Sequence, residues 1–328
     1  MKLTIATLIV AFAVGASYGQ SPPTLRIVTE TPGLPSELFY GNVKVKPLRV
    51  RPGTNPPQFI TIADNDFFVQ QQYIDFLNRM PDQSGFNFWL SKITNCGSNQ
   101  NCIDVNRIND SGAFFLSIEF QQTGYLVERM YKAAYGDATG NSGLGGNHNV
   151  TAPIVRYGEF LPDVKQIGNG VVVNETGWEA KLEANKVSFS QAFVQRSRFT
   201  GAYATSLSPT AFVTQIADRA GVPANDPDRT KAINEFGGSA DTSDIAARGR
   251  AVRDLAENTT VFNSEQNRAF VLMQYFGYLR RDPNDGVHDA DYTGYDFWLS
   301  KLNQFNGNFI SAEMVKAFIT STEYLDRF

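Results

Sequence analysis

The pattern of apolar and polar positions changes its period once along the chain. Between residues 20 and 66, apolar residues alternate with polar ones in "LRIVTE", "NVKVKPLRV" and "QFITIAD". Eight of the fifteen prolines fall between Pro22 and Pro57. Alternation places successive side chains on opposite faces of a strand and proline punctuates turns, so this stretch is expected to be a short extended or β-rich lead-in. From Phe67 onward the period is helical. "FVQQQYIDFLNR" sets Phe68, Val69, Gln72, Tyr73, Phe76 and Leu77 on one face of a helix. Two hundred residues later "FVLMQYFGYLRR" repeats that face with Phe270, Val271, Gln274, Tyr275, Tyr278 and Leu279.

The repetition continues past the helix. Arg79 and Pro81 match Arg281 and Pro283, and "GFNFWLSK" (85–92) matches "GYDFWLSK" (294–301). "AFFLSIEF" (113–120) matches "AFITSTEY" (317–324). Weaker copies of the helical face start at Leu126 and Phe212, and "AFVQRSRF" (192–199) stands where "AFITSTEY" stands in the last copy. A recurring helical unit implies a repeat architecture. The expected fold class is therefore mainly α, an array of four helical repeat units behind the lead-in. Expected boundaries are 67–124, 125–205, 206–267 and 268–328, with units two and three degenerate.

Each element of the duplicated motif has a structural reading. Arg79 and Arg281 sit in a last helical turn, where a cation meets the carbonyl end of the helix. Pro81 and Pro283 stop the helix, Asp82 or Asn284 starts a turn, and Gly85 and Gly294 admit a tight approach. Trp89 and Trp298 lie on the buried face of the next helix. Glu119 and Glu323 invite a catalytic reading, because paired carboxylates serve as acid and base. One inner copy has Arg198 at that position, which favours pairing with a helix-end arginine over catalysis.

These residues (Phe68, Tyr73, Leu77, Arg79, Pro81, Asp82, Gly85, Trp89, Ser117, Glu119 and Phe120, with their C-terminal partners) resemble the bacterial domain-of-unknown-function family 4214. The resemblance covers most of 67–328 and is closest at both ends. It implies helical repeats of exported and surface proteins, with a fold like that of phycobilisome linker domains, and it implies no established activity. The cysteine pair and "NRAFVLMQYFGYLRR" resemble exported proteins of acidobacteria in particular.

The amino end agrees with export. Lys2, an apolar-rich run from Leu3 to Val14 and small residues at Ser17 and Gly19 spell a signal peptide over 1–19. No later segment is apolar enough to span a membrane. The expected location is secreted or cell-surface, the periplasm included. A formal net charge of −4 carries no basic footprint for nucleic acid. Cys96 and Cys102 are expected to close a small disulfide loop.

His148 lies in "GLGGNHNVTAP" (143–153), a Gly/Asn stretch expected, like the overlapping "GNSGLGG" (140–146), to be a loop, and no Ser-His-Asp order or zinc motif is spelled out. In "DPNDGVHDADYTG" (282–294), Asp282, Asn284, Asp285, Asp289 and Asp291 are candidate calcium ligands, calcium favouring several oxygens in a flexible loop. No other cofactor is implied. The expected function is an exported, non-catalytic structural or adhesive module at the cell envelope or extracellular matrix. Its expected partner is cell-envelope or extracellular polysaccharide, or a surface protein. The alternative is a secreted polysaccharide-active hydrolase using inter-repeat carboxylates.

Overall fold

The computed structural model describes residues 25–28, 37–40, 43–47, 49–51, 54–56 and 58–328. The expected signal peptide lies outside the described residues. The chain divides into two compact units between Phe59 and Ile60. In the first, β1 (Leu25–Val28), β2 (Glu37–Tyr40) and β3 (Val43–Pro47) form an antiparallel meander. Short strands β4 (Arg49–Val50) and β5 (Phe59–Ile60) pair as a second small sheet.

The second unit is mainly helical, with one β-hairpin. The first group is α1 (Asn65–Gln72), α2 (Gln83–Thr94), α3 (Gln100–Leu116) and α4 (Ile118–Gln122). Then come α5 (Gly124–Tyr135), the hairpin β6 (Asp137–Ser142) and β7 (His148–Pro153), α6 (Tyr157–Gly168), α7 (Trp178–Phe193) and α8 (Ser197–Ala202). A third group holds α9 (Pro209–Ala220), α10 (Pro227–Asn234) and α11 (Ile245–Ala256). The last holds α12 (Thr259–Gln274), α13 (Thr293–Gln304), α14 (Met314–Ile319) and α15 (Thr322–Leu325). The fold is mainly α. Among the described residues no helix is long and apolar enough to cross a membrane.

Two local features recur in the first and last groups. α1 runs on as a π-helical turn over Tyr73–Leu77, and α12 runs on as one over Tyr275–Leu279. Each turn ends on a left-handed residue, Asn78 (φ 54°) and Arg280 (φ 59°). Arg79 and Arg281 therefore stand just past the helix end and not in its last turn, and it is this backbone reversal that ends the helix before Pro81 and Pro283 are reached. Each of these arginines returns its backbone N–H to the tyrosine carbonyl, Arg79 to Tyr73 at 3.5 Å and Arg281 to Tyr275 at 3.4 Å. These bonds satisfy carbonyls that a helix end leaves open.

The two π-helical turns pack on each other. Phe76 meets Tyr278 edge to face at 5.2 Å, and the Tyr278 hydroxyl donates to Gln72 at 3.0 Å. Phe115 stacks on Phe270 at 4.1 Å, and Phe67 meets Phe328 at 5.4 Å. The first and last groups are thus joined through a common core. Gly277 stands where the first copy has Asp75, and a Cβ there would come 3.2 Å from the Phe76 ring.

The glycine-rich stretch expected as a loop is partly strand. Asp137–Ser142 pairs antiparallel with His148–Pro153 in unbroken register from Asp137↔Pro153 to Ser142↔His148. Gly140 is required inside the strand because the Tyr292 ring lies on it, 2.2 Å from where a Cβ would stand. Composition marks such a stretch as loop; the aromatic neighbour that makes glycine useful comes from far along the chain.

Candidate functional site

The duplicated motif builds a clamp beside a cleft. Arg79 leaves the π-helical turn and donates from Nε and Nη2 to both Glu119 oxygens, each at 2.7 Å. This planar two-bond pair is the strongest common geometry between these groups. Ser117 positions the carboxylate by capping α4: it accepts from the Phe120 N–H at 3.1 Å and donates to the Phe114 carbonyl at 2.8 Å. Asp82 caps α2 through the Gly85 N–H at 2.7 Å and lies 3.5 Å from Arg79. Gly85 is required here, because a Cβ would stand 2.2 Å from the Tyr73 hydroxyl. Burial, with help from the Asp82 charge, pushes the Tyr73 pKa up to about 12. Burial works against the Arg79 charge, yet the bonds to Glu119 outweigh it and raise its pKa.

The last group repeats this. Arg281 Nε donates to Glu323 at 2.5 Å and Nη2 at 3.0 Å. Ser321 accepts from Tyr324 N–H at 3.1 Å and donates to the Phe318 carbonyl at 2.8 Å. A Cβ on Gly294 would stand 2.6 Å from the Tyr275 hydroxyl. Trp89 packs on Phe114 at 5.5 Å and Trp298 on Phe318 at 5.8 Å. Lys92 lies 4.3 Å from the Trp89 ring, and Lys301 5.4 Å from the Trp298 ring. The copies differ on the side of the aspartate. Asp289, from the longer loop, bonds Arg281 at 2.7 Å where the first copy uses Asp82. No side chain caps α13 as Asp82 caps α2, since Asn284 accepts from Arg156 instead.

Each clamp borders an open cleft. Tyr73, Arg79, Gly85, Trp89 and Glu119 line one of about 580 Å³, with Glu175 on its rim. Tyr275, Arg281, Gly294, Trp298 and Glu323 line its counterpart of about 300 Å³. A third cleft of about 490 Å³ lies at the matching place in the second group, between Tyr131, Tyr135, Glu159, Asp163, Arg196 and Arg198. There the charges are exchanged. Arg198 takes the position of Glu119 and bonds Glu159 at 2.9 Å, while Arg196 grips Asp163 at 2.6 and 2.8 Å. The Tyr131 hydroxyl completes the set, donating to Asp163 at 3.0 Å.

The candidate calcium ligands all face protein partners. Asp282 and Asn284 hold Arg156 at 3.2 and 2.8 Å, and Asp289 holds Arg281. Asp285 accepts from the His288 ring at 2.7 Å and from the backbone N–H groups of Val287 and His288. Slight desolvation opposes ionisation of Asp285, but these bonds hold its carboxyl well below the usual range. Asp291 accepts from the Thr293 N–H at 2.9 Å. Among the described residues no group of three or more His, Cys, Asp or Glu side chains is placed to hold a metal ion. Pro81 lines a neighbouring crevice with Phe67 and Phe86, and Pro283 follows its arginine by two residues. Cys96 and Cys102 form a disulfide.

One cluster is not legible in the sequence. Asp296 on α13 accepts from the buried Ser142 hydroxyl at 2.6 Å and meets His148 Nε2 at 3.1 Å. These residue types make a catalytic triad only when histidine stands between serine and aspartate. Here the aspartate is central, so the hydroxyl is held and not activated, and the cluster pins the β6–β7 hairpin to α13.

Residues 58–124 match the family model described as "Domain of unknown function (DUF4214)". That span holds α1 to α4 and the first clamp. No curated protein and no solved structure matches the chain.

Proposed function

We propose that this protein is an exported, non-catalytic binding module that holds polysaccharide of the cell envelope or extracellular matrix in its clamp-lined clefts. One observation carries the reading. The repeated carboxylates Glu119 and Glu323 are each held by two bonds from one guanidinium, at the wall of a cleft that also presents a tryptophan and a tyrosine. A general acid must exchange a proton with its substrate, and a carboxylate neutralised by a bidentate arginine is poorly suited to that. A sugar ring offers an apolar face and a rim of hydroxyls. An aromatic wall beside fixed polar groups matches both, as small-ligand sites generally do. The leader-like residues 1–19 support export.

Co-sedimentation of the purified chain with insoluble envelope and extracellular polysaccharide, with released reducing sugar assayed in the same tube, tests this reading. Saturable retention without release, lost in Trp89→Ala/Trp298→Ala, is the expected result. Release that grows with time and disappears in Glu119→Gln/Glu323→Gln would make the protein a hydrolase instead. No retention would end the proposal.

A further inference from the structure

The three clefts at the clamp positions pair nearly all their charges internally. Asp289 and Glu323 are bonded to Arg281 in the last cleft, and Glu159 and Asp163 to Arg198 and Arg196 in the inner one. In the first cleft Glu119 takes two bonds from Arg79, whose remaining nitrogen donates to the Met80 carbonyl at 3.0 Å. Asp82 accepts from the Gly85 N–H and the Ser84 hydroxyl at 2.7 and 2.8 Å. Glu175 is the exception. It lines the first cleft together with Val172, Val173 and Asn174, all from the α6–α7 loop, and it is exposed and forms no ion pair among the described residues. Lys92, 4.3 Å from the Trp89 ring, and Lys181, against Gly170, leave it unpaired. The loop itself is fixed: Val171 is buried, the Glu175 N–H donates to the Val172 carbonyl at 3.1 Å, and the Trp178 N–H donates to the Glu175 carbonyl at 3.2 Å. The counterpart cleft is lined only by residues between Tyr275 and Glu323 and has no such lip.

We infer, resting on the polysaccharide reading above, that the first cleft selects an amino sugar: a hexosamine unit whose unsubstituted, protonated amine is held by the Glu175 carboxylate. The Arg79 fork is closed on Glu119, so the carboxylate of an acidic sugar meets Glu175 without a cation to answer it. A neutral or N-acetylated sugar gains nothing from Glu175. An ammonium gains a charge-assisted bond, which is stronger than a neutral one. At an exposed position such a bond is screened by water, and its share of the affinity is about two- to fivefold. Glu175 is thus a specificity residue, supplied by the second group to a cleft built by the first.

Isothermal titration of the full chain with three soluble oligomers of matched length tests the assignment: glucosamine, its fully N-acetylated form, and galacturonate. In mildly acidic buffer the glucosamine oligomer should bind about two- to fivefold tighter than the acetylated one, with galacturonate weakest. That advantage should vanish in alkaline buffer, where the amine is uncharged, and in Glu175→Gln. Glu175→Lys should reverse the order and place galacturonate ahead of glucosamine. Glu175 is exposed, so both variants should melt with the parent, which ties the change to the site. Equal affinity for the amine and acetylated forms, or a preference that survives Glu175→Gln, would overturn the inference and leave the polysaccharide reading standing. Binding of none of the three would overturn it as well, and the co-sedimentation assay then decides the polysaccharide reading separately.

Discussion

Glu119 and Glu323 make the same contact in different surroundings. The Glu119 side chain is 6% exposed, against 30% for Glu323. The second carboxylate beside Arg79, Asp82, lies 3.5 Å away, while Arg281 keeps Asp289 at 2.7 Å. Removing one partner of a buried pair strands the other charge, whereas an exposed pair is screened. Glu119→Ala should therefore lower stability by about 2–4 kcal/mol and Glu323→Ala by about 1 kcal/mol, read from urea melts. Equal losses would mean that burial does not set the strength of the clamp. Asp110 supplies a pH signature. It is buried in α3 with neither carboxyl oxygen bonded. Burial pushes its pKa up to about 7, with the Lys92 charge holding it back, from an ordinary value of 3.8. Between those values the folded chain keeps a proton that the unfolded chain releases, so the stability contributed here falls as pH rises through the window. Asp110→Asn should melt higher than the parent at pH 8, with the gap closing toward pH 4. A gap independent of pH would count against this account.

At the scale of elements, the two π-helical turns end on different residues for different reasons. Asn78 and Arg280 both adopt the left-handed region, which glycine enters without steric cost. Asn78 makes one long side-chain bond, 3.4 Å to the Leu161 carbonyl. Arg280 reaches the buried Asp75 at 2.5 Å. Asn78→Gly should thus change the melting temperature little, while Arg280→Gly should lower it by an amount corresponding to about 2–4 kcal/mol. Similar effects from the two substitutions would show that backbone conformation, and not the ion pair, governs both. The α12–α13 loop follows the same logic. It is longer than its α1–α2 counterpart, yet it delivers Asp289 to the arginine that Asp82 serves in the first copy.

Over the whole molecule, Asp75 is the point where the ends of the helical chain meet. Its side chain is fully buried and accepts from Arg280 at 2.5 Å, from Arg327 at 3.0 Å and from Gln71 at 2.7 Å. Arg327 also donates to the carbonyls of Gly277 and Tyr278 at 3.1 and 2.7 Å, so one carboxylate ties α1, the second π-helical turn and the C-terminus together. Asp75→Ala leaves two arginines facing each other without an anion. It should cost about 3–5 kcal/mol and expose the Phe76–Tyr278 contact, seen as faster amide exchange in both π-helical turns. Loss of protection confined to α1 would mean that the terminal groups hold together without it.

Much of this architecture is written in local spacing. Helical period and the duplicated motif are properties of neighbouring residues, so Arg79, Gly85, Trp89 and Glu119 could be singled out from the sequence with their C-terminal counterparts. That Asn78 and Arg280, and not the prolines, end the helices could not. Which partners they meet is not local. The sequence could not show that Tyr73 lies against Gly85, that Asp289 substitutes for Asp82, or that the acidic loop residues turn to Arg156 and Arg281. Nor could it show that the first and last groups pack on one another, or that Glu175 of the second group lines the first cleft. Helix formation and capping depend on residues a turn apart. Clefts, buried ion pairs and the meeting of distant repeats depend on how faces pack, which only the tertiary structure decides.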